Sequence, residues 1–200
     1  MVELRMKLMR KILTICVILL SCLSLTAQDK LNLSDVKSLT FYGIDFSLAK
    51  VYGGKDTGHQ YWTTYADINE LFIDKPKTFS VEKRLGIPVD VISLQAVNQV
   101  NKDINPDKIK IDTPTYMPTP EQINTAIQNL PILSQEEKIG MVIIALFLNK
   151  EDNRGTYQFV IFNTKTRDII EQWTNSGAGM GYNLKSYWGV SVYNAIKKIK

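Results

Sequence analysis

The feature that most constrains this chain is Met141–Leu148, eight consecutive apolar residues (Met-Val-Ile-Ile-Ala-Leu-Phe-Leu) without a charge. Periodicity alone does not separate a strand covered on both faces from a buried helical segment. The run is short for a helix, and Val142, Ile143 and Ile144 are adjacent β-branched residues, so a strand is favoured. A polar turn, Glu151–Gly155, leads to Tyr157–Phe162, and Asn163–Thr166 links that run to Asp168–Trp173. The pattern predicts three consecutive antiparallel strands. One wholly apolar member means that the meander needs a helical cover.

The cover is expected from the last residues. After the glycine-rich segment Gly177-Ala-Gly-Met-Gly181, Tyr182–Ile199 carries an apolar stripe of Leu184, Trp188, Val192, Ile196 and Ile199, joined by Tyr187. Its last turn holds lysines, which complement the helix dipole. Upstream, Leu39–Val51 alternates as one long strand, with Tyr42, Ile44, Phe46 and Leu48 on the core face and Phe41, Gly43, Asp45, Ser47 and Ala49 opposite. Tyr52–His59 reads as a loop by its glycines, and Gln60–Ile73 as a helix by the spacing of Trp62, Tyr65, Ile68 or Asn69, and Phe72. Phe79–Leu85 suits two further turns, Val89–Leu94 a short strand, and Gln95–Asp103 a helix. Asn105–Pro120 is linker-like with four prolines. Thr119-Pro-Glu-Gln122 is a capping box with proline at the first helical position, opening a helix to Leu130 that buries Ile123, Ile127 and Leu130. A second box, Ser134-Gln-Glu-Glu137, precedes the meander.

The N-terminus reads differently. Arg5, Lys7, Arg10 and Lys11 precede an apolar stretch from Ile12 to about Leu25, followed by Thr26-Ala27. That is the layout of a secretory signal peptide, with cleavage after Ala27 and a single domain over 28–200. The alternative is lipoprotein processing at Leu-Leu-Ser-Cys22, which would tether the chain to a membrane through a lipidated Cys22. Residues 1–27 hold four of the 24 Lys and Arg and one of the 20 Asp and Glu, leaving 20 bases against 19 acids. The apparent basicity therefore belongs to the leader, and nucleic acid is not expected as a partner. Cys16 and Cys22 are the only two cysteines, so a domain over 28–200 has no disulfide, no cysteine nucleophile and no cysteine metal site.

Chemistry is hard to find. Gly177–Gly181 invites a phosphate-loop reading, but there is no Gly-Lys-Ser/Thr and the loop follows the last strand of a meander, so a structural role is expected, the glycines letting the chain turn sharply and the final helix dock closely. His59 is the only histidine, and no Gly-x-Ser-x-Gly elbow accompanies it. Asp67, Glu70 and Asp74 share a helix face, which a charged solvent face explains as well as a cation does. Tyr61, Trp62, Tyr65, Tyr187 and Trp188 suit core, and a sugar or peptide platform is the minority reading. No catalytic, cofactor or metal residue is assigned.

Phe162–Gln172, then Gly177–Gly181, then a helix bearing Tyr187-Trp188, is similar to a group of small exported proteins of Bacteroidetes-like bacteria. More distantly, the order of first strand, helices, hairpin and final helix resembles the TolB N-terminal domain and CsgG-like envelope lipoproteins. The resemblance implies a non-enzymatic role in the periplasm or at the outer membrane, and carries over no binding residue. The expectation is an α/β domain with a mixed, mostly antiparallel sheet of four or five strands, helices packed on it and an amphipathic C-terminal helix. Its expected function is a non-catalytic envelope binding or scaffold protein, with an envelope protein or a second copy as partner and no cofactor. The rival is a secreted hydrolase using Asp/Glu or a Ser with His59.

Overall fold

In the computed structural model, which describes residues 33–133 and 138–199, the apolar run is the long central strand β5, Ile139–Asn149. The leader, with Cys22 and Ala27, and the second capping box at 134–137 lie outside the described residues. Eight residues of β5, Met141–Leu148, are at most 9% exposed. Met141, Ile143, Ala145 and Leu148 feed one core and Val142, Ile144 and Leu146 another, on opposite faces of the sheet.

Around β5 the chain lays down β1 (Leu39–Asp45), β2 (Lys50–Tyr52), β3 (Val89–Ile92), β4 (Lys110–Ile111), β6 (Arg154–Asn163) and β7 (Ile169–Ala178). The helices are α1 (Gly58–Asp74), α2 (Glu82–Leu85), α3 (Gln95–Lys102), α4 (Pro120–Gln128) and α5 (Leu184–Ile196), with short 3-10 turns at Leu33–Asp35 and Pro106–Lys108. The meander β5–β6–β7 is antiparallel as expected. The mostly antiparallel sheet of four or five strands is not what forms. Among the described residues the sheet has seven strands, and four of the six pairings, β1–β3, β1–β5, β2–β4 and β2–β5, are parallel. The reason lies in the connections. Parallel neighbours need long crossovers, and α1 with α2, then α3, then α4 supply them between β2 and β5.

The expected strand Leu39–Val51 is there, but broken. Its halves β1 and β2 lie in line along the same edge of β5, with Asp45 opposite Ile144 and Lys50 opposite Phe147. Five residue steps on the inner lane therefore match three on β5, and Phe46–Ala49 loop outward. The expected faces also change. Phe41, Ile44 and Phe46 enter the first core and Tyr42 the second, and the register shifts between Phe41 and Ile44. A bulge centred on Gly43, at φ +88°, reverses the alternation there.

Two buried asparagines replace the ladder where β3 no longer covers β1. Asn69 on α1 accepts from Ile44 N–H at 2.7 Å and donates to Ile44 C=O at 2.9 Å. Asn101 on α3 donates to the same carbonyl at 2.9 Å and accepts from Phe46 N–H at 2.7 Å. Buried backbone groups are thus satisfied by side chains rather than by a strand.

Helix termini follow local chemistry. Thr57 and Gln60 form a capping box, so α1 starts at Gly58 and absorbs His59, which the glycine pattern places in a loop. The Thr119–Gln122 box opens α4 as expected, and Ile123, Ile127 and Leu130 are buried. Of the two turns expected over Phe79–Leu85, only α2 forms, and the linker contributes β4. Strand β7 runs five residues past Trp173, because β6 remains alongside it through Gly155 opposite Gly177 and Arg154 opposite Ala178. Helix α5 then covers the first core: Trp188 is fully buried, and the Ser191 hydroxyl accepts from Tyr157 O–H at 2.9 Å and donates to Gly177 C=O at 2.8 Å. Among the described residues no helix is long and apolar enough to cross a membrane.

Candidate functional site

At the carboxyl end of β5 the second face of the sheet carries an open groove of about 560 Å³. A register shift between Ala145 and Phe147 breaks the alternation just before Phe147, which lines the groove together with Thr156 of β6. The segment Pro114–Met117, which lies outside helix and strand and has prolines at 114 and 118, lines the groove as well. The Tyr116 ring stands 6.4 Å from that of Phe147, and burial pushes its phenol pKa up. Met117 is 60% exposed.

The rim is built by the β5–β6 turn. Asn149 Oδ1 accepts from the N–H groups of Glu151 and Asp152 at 3.0 and 3.1 Å, and its amide donates to Asp152 Oδ2 at 2.7 Å. Asn153, at φ +50°, completes the reversal. Arg154 opens β6 and donates to Ser176 Oγ at 3.3 Å. The groove thus has an apolar floor of Phe147, Tyr116 and Met117 and a rim bearing one acid and one base. Such a surface can hold an apolar side chain while pairing polar groups beside it.

The residues weighed from sequence fall elsewhere. Gly177 belongs to β7 rather than a loop, and a Cβ there would lie 1.9 Å from Ser191 O, so the glycine serves the close docking of α5. His59 is exposed on the first turn of α1, its ring 5.4 Å from that of Trp62. Asp67, Glu70 and Asp74 are exposed on α1, and among the described residues no three metal-ligating side chains gather. Tyr61, Tyr65, Tyr187 and Trp188 are core, and Trp62 is half-buried with its indole N–H donating to Asn101 C=O at 3.0 Å.

The groove is not legible in the sequence, because its parts read as linker (Tyr116, Met117) and as core (Phe147). An aromatic and a methionine between two prolines were the available signal. Asp45 was missed too: expected on the outward face, it is 2% exposed. An acid at a break in an apolar strand was the hint.

The buried tyrosines make a separate prediction. Burial, reinforced by Asp56, pushes Tyr61 up to about 12, and burial raises Tyr65 and Tyr157 further. An unfolded tyrosine ionises near 10 while these stay protonated, so their contribution is intact below pH 10 and is lost as pH rises through the folded values. The Tyr65 hydroxyl has no hydrogen-bond partner among the described residues. Tyr65→Phe should therefore leave stability at pH 7 unchanged or raise it by up to about 1 kcal/mol, and soften the alkaline decline. Urea midpoints at pH 7, 9 and 10.5 check both.

Neither a protein-family model nor a curated protein sequence matches this chain. Among solved structures it is similar to the LpoB C-terminal domain from Salmonella enterica, at 10% identity and a TM-score of 0.30, over 71% of this chain and 82% of that one. A likeness this slight transfers no activity.

Proposed function

We propose that this chain is an exported cell-envelope protein that acts by binding a protein partner in the groove rather than by catalysis. The observation that carries the reading is the trough itself, open, floored by Phe147, Tyr116 and Met117 and edged by Asp152 and Arg154. It suits an extended segment that sets one apolar side chain against the floor and polar groups against the rim. Met117 presents apolar surface to water until something covers it. Export is supported by the basic-then-apolar order of residues 1–27, ending either in cleavage after Ala27 or in a lipid on Cys22. An envelope protein is the preferred occupant, and a second copy of the chain is the other.

Photo-crosslinking in the native envelope tests this. A benzophenone side chain at Met117 should give one discrete adduct, whereas the same probe at Glu70, exposed on α1, should give none. Charge reversal at the rim, Asp152→Lys or Arg154→Glu, should weaken the adduct several-fold without unfolding the protein. An adduct of twice the chain mass identifies the second copy. Equal labelling at the two positions, or none at Met117, sinks the groove reading.

A further inference from the structure

The outward loop at Phe46–Ala49 opens a second cleft, of about 400 Å³, between the loop, α3 and α4. It shares no lining residue with the groove. Asp45 lines it and is 2% exposed. The hydrogen bonds it receives come from Ser47, the backbone N–H to Oδ1 at 2.7 Å and the hydroxyl, both neutral donors from two residues away. Burial raises the pKa of this carboxyl, as expected where no cation offsets the lost water. None of the described residues that line the cleft is basic. Among the described residues the one further charge lining it is Glu121, an exposed acid on the first turn of α4 whose carboxylate also accepts from its own backbone N–H and from the Thr119 hydroxyl, while α3 contributes Val100. Leu48, Val100 and Ala126 give the wall its apolar part, and the neutral side chains of Gln122 and Asn129 complete the lining. The Thr125 hydroxyl donates to Glu121 C=O at 2.7 Å, which leaves its oxygen free to accept.

A deep acid, a second acid, a hydroxyl acceptor and an apolar wall together define a ligand. It is a hydrogen-bond donor, it is positive, and it carries a short aliphatic stem. We propose that this cleft binds a primary ammonium group on a short alkyl chain, anchored by Asp45. The inference stands independently of the groove. The ammonium can come from a free small amine or from a lysine side chain of a protein.

NMR titration of the purified protein separates these. The probes are n-butylammonium for the free amine, Nα-acetyl-lysine methylamide for the lysine, and 1-butanol and tetramethylammonium as controls. One or both of the first two should give saturable shifts at the amides of Ser47, Val100 and Thr125, and the tighter of them names the source. Both controls should fail, one lacking the charge and the other the N–H donors. Asp45→Asn keeps an acceptor for the Ser47 backbone N–H and should weaken binding at least about tenfold. Ala126→Leu narrows the cleft from α4 without touching Asp45 and should do the same. Absence of saturable shifts, binding that survives either variant, or equal binding of 1-butanol overturns the proposal.

Discussion

Replacing Gly177 with alanine is expected to destabilise the protein by about 3 kcal/mol, a large fraction of the stability of a domain this size. The added Cβ would stand 1.9 Å from Ser191 O and 2.7 Å from Ala195 N, both backbone atoms of α5 that no rotamer change can move. The helix must lift from β7, which also separates Ser191 from Gly177 C=O and Tyr157 O–H. Two other glycines give the scale. At Gly179 a Cβ would meet the Tyr187 ring, a side chain with some freedom, and at Gly86 it would meet nothing within 4 Å, although φ is +70° there. Denaturant unfolding should therefore rank the losses Gly177→Ala, then Gly179→Ala, then Gly86→Ala, with the last near 1 kcal/mol. If Gly177→Ala unfolds like the native protein, the docking of α5 on β7 is wrong, and the anion-loop reading of Gly177–Gly181 regains its standing.

The second large effect belongs to Asn69. Asn69→Ala removes both the acceptor for Ile44 N–H and a donor to Ile44 C=O, leaving the amide of a fully buried residue unpaired. The expected loss is on the order of 3 kcal/mol, since a buried unsatisfied polar group costs about 1–3 kcal/mol and a small cavity adds to it. Asn101→Ala should cost less, because Ile44 C=O keeps its Asn69 partner and only Phe46 N–H is orphaned. The double variant should lose less than the sum of the singles if the two asparagines act on one strand break, and a thermodynamic cycle by urea unfolding measures that coupling. Full additivity would show that the two side chains support separate parts of the fold.

Both predictions concern residues whose importance local pattern hides. Asn69 sits where the α1 stripe calls for an apolar residue, and spacing alone leaves Ile68 and Asn69 as equals; both prove buried. Gly177 reads as a loop marker, because glycine is frequent in loops and uncommon inside strands. Close docking of the last helix is what glycine here leads one to expect; that the contact is made from inside a strand, against the helix backbone, leaves no trace in neighbouring residues.

Local chemistry was enough for the apolar central strand, the meander after it, the Thr119–Gln122 cap and the apolar stripe of the last helix. Each depends on residues within one or two turns of one another, where side-chain period and capping hydrogen bonds act directly. Distant contacts set the rest. Which lane β1–β4 would join depended on how crossover helices could bury both faces of β5; the bulge at Gly43 then turned side chains against their expected faces, and the register shift before Phe147 set which way that ring faces. A shift of one residue moves every later side chain to the other side of a sheet. That is why the groove and the buried Asp45 emerged only once the strands were laid beside each other.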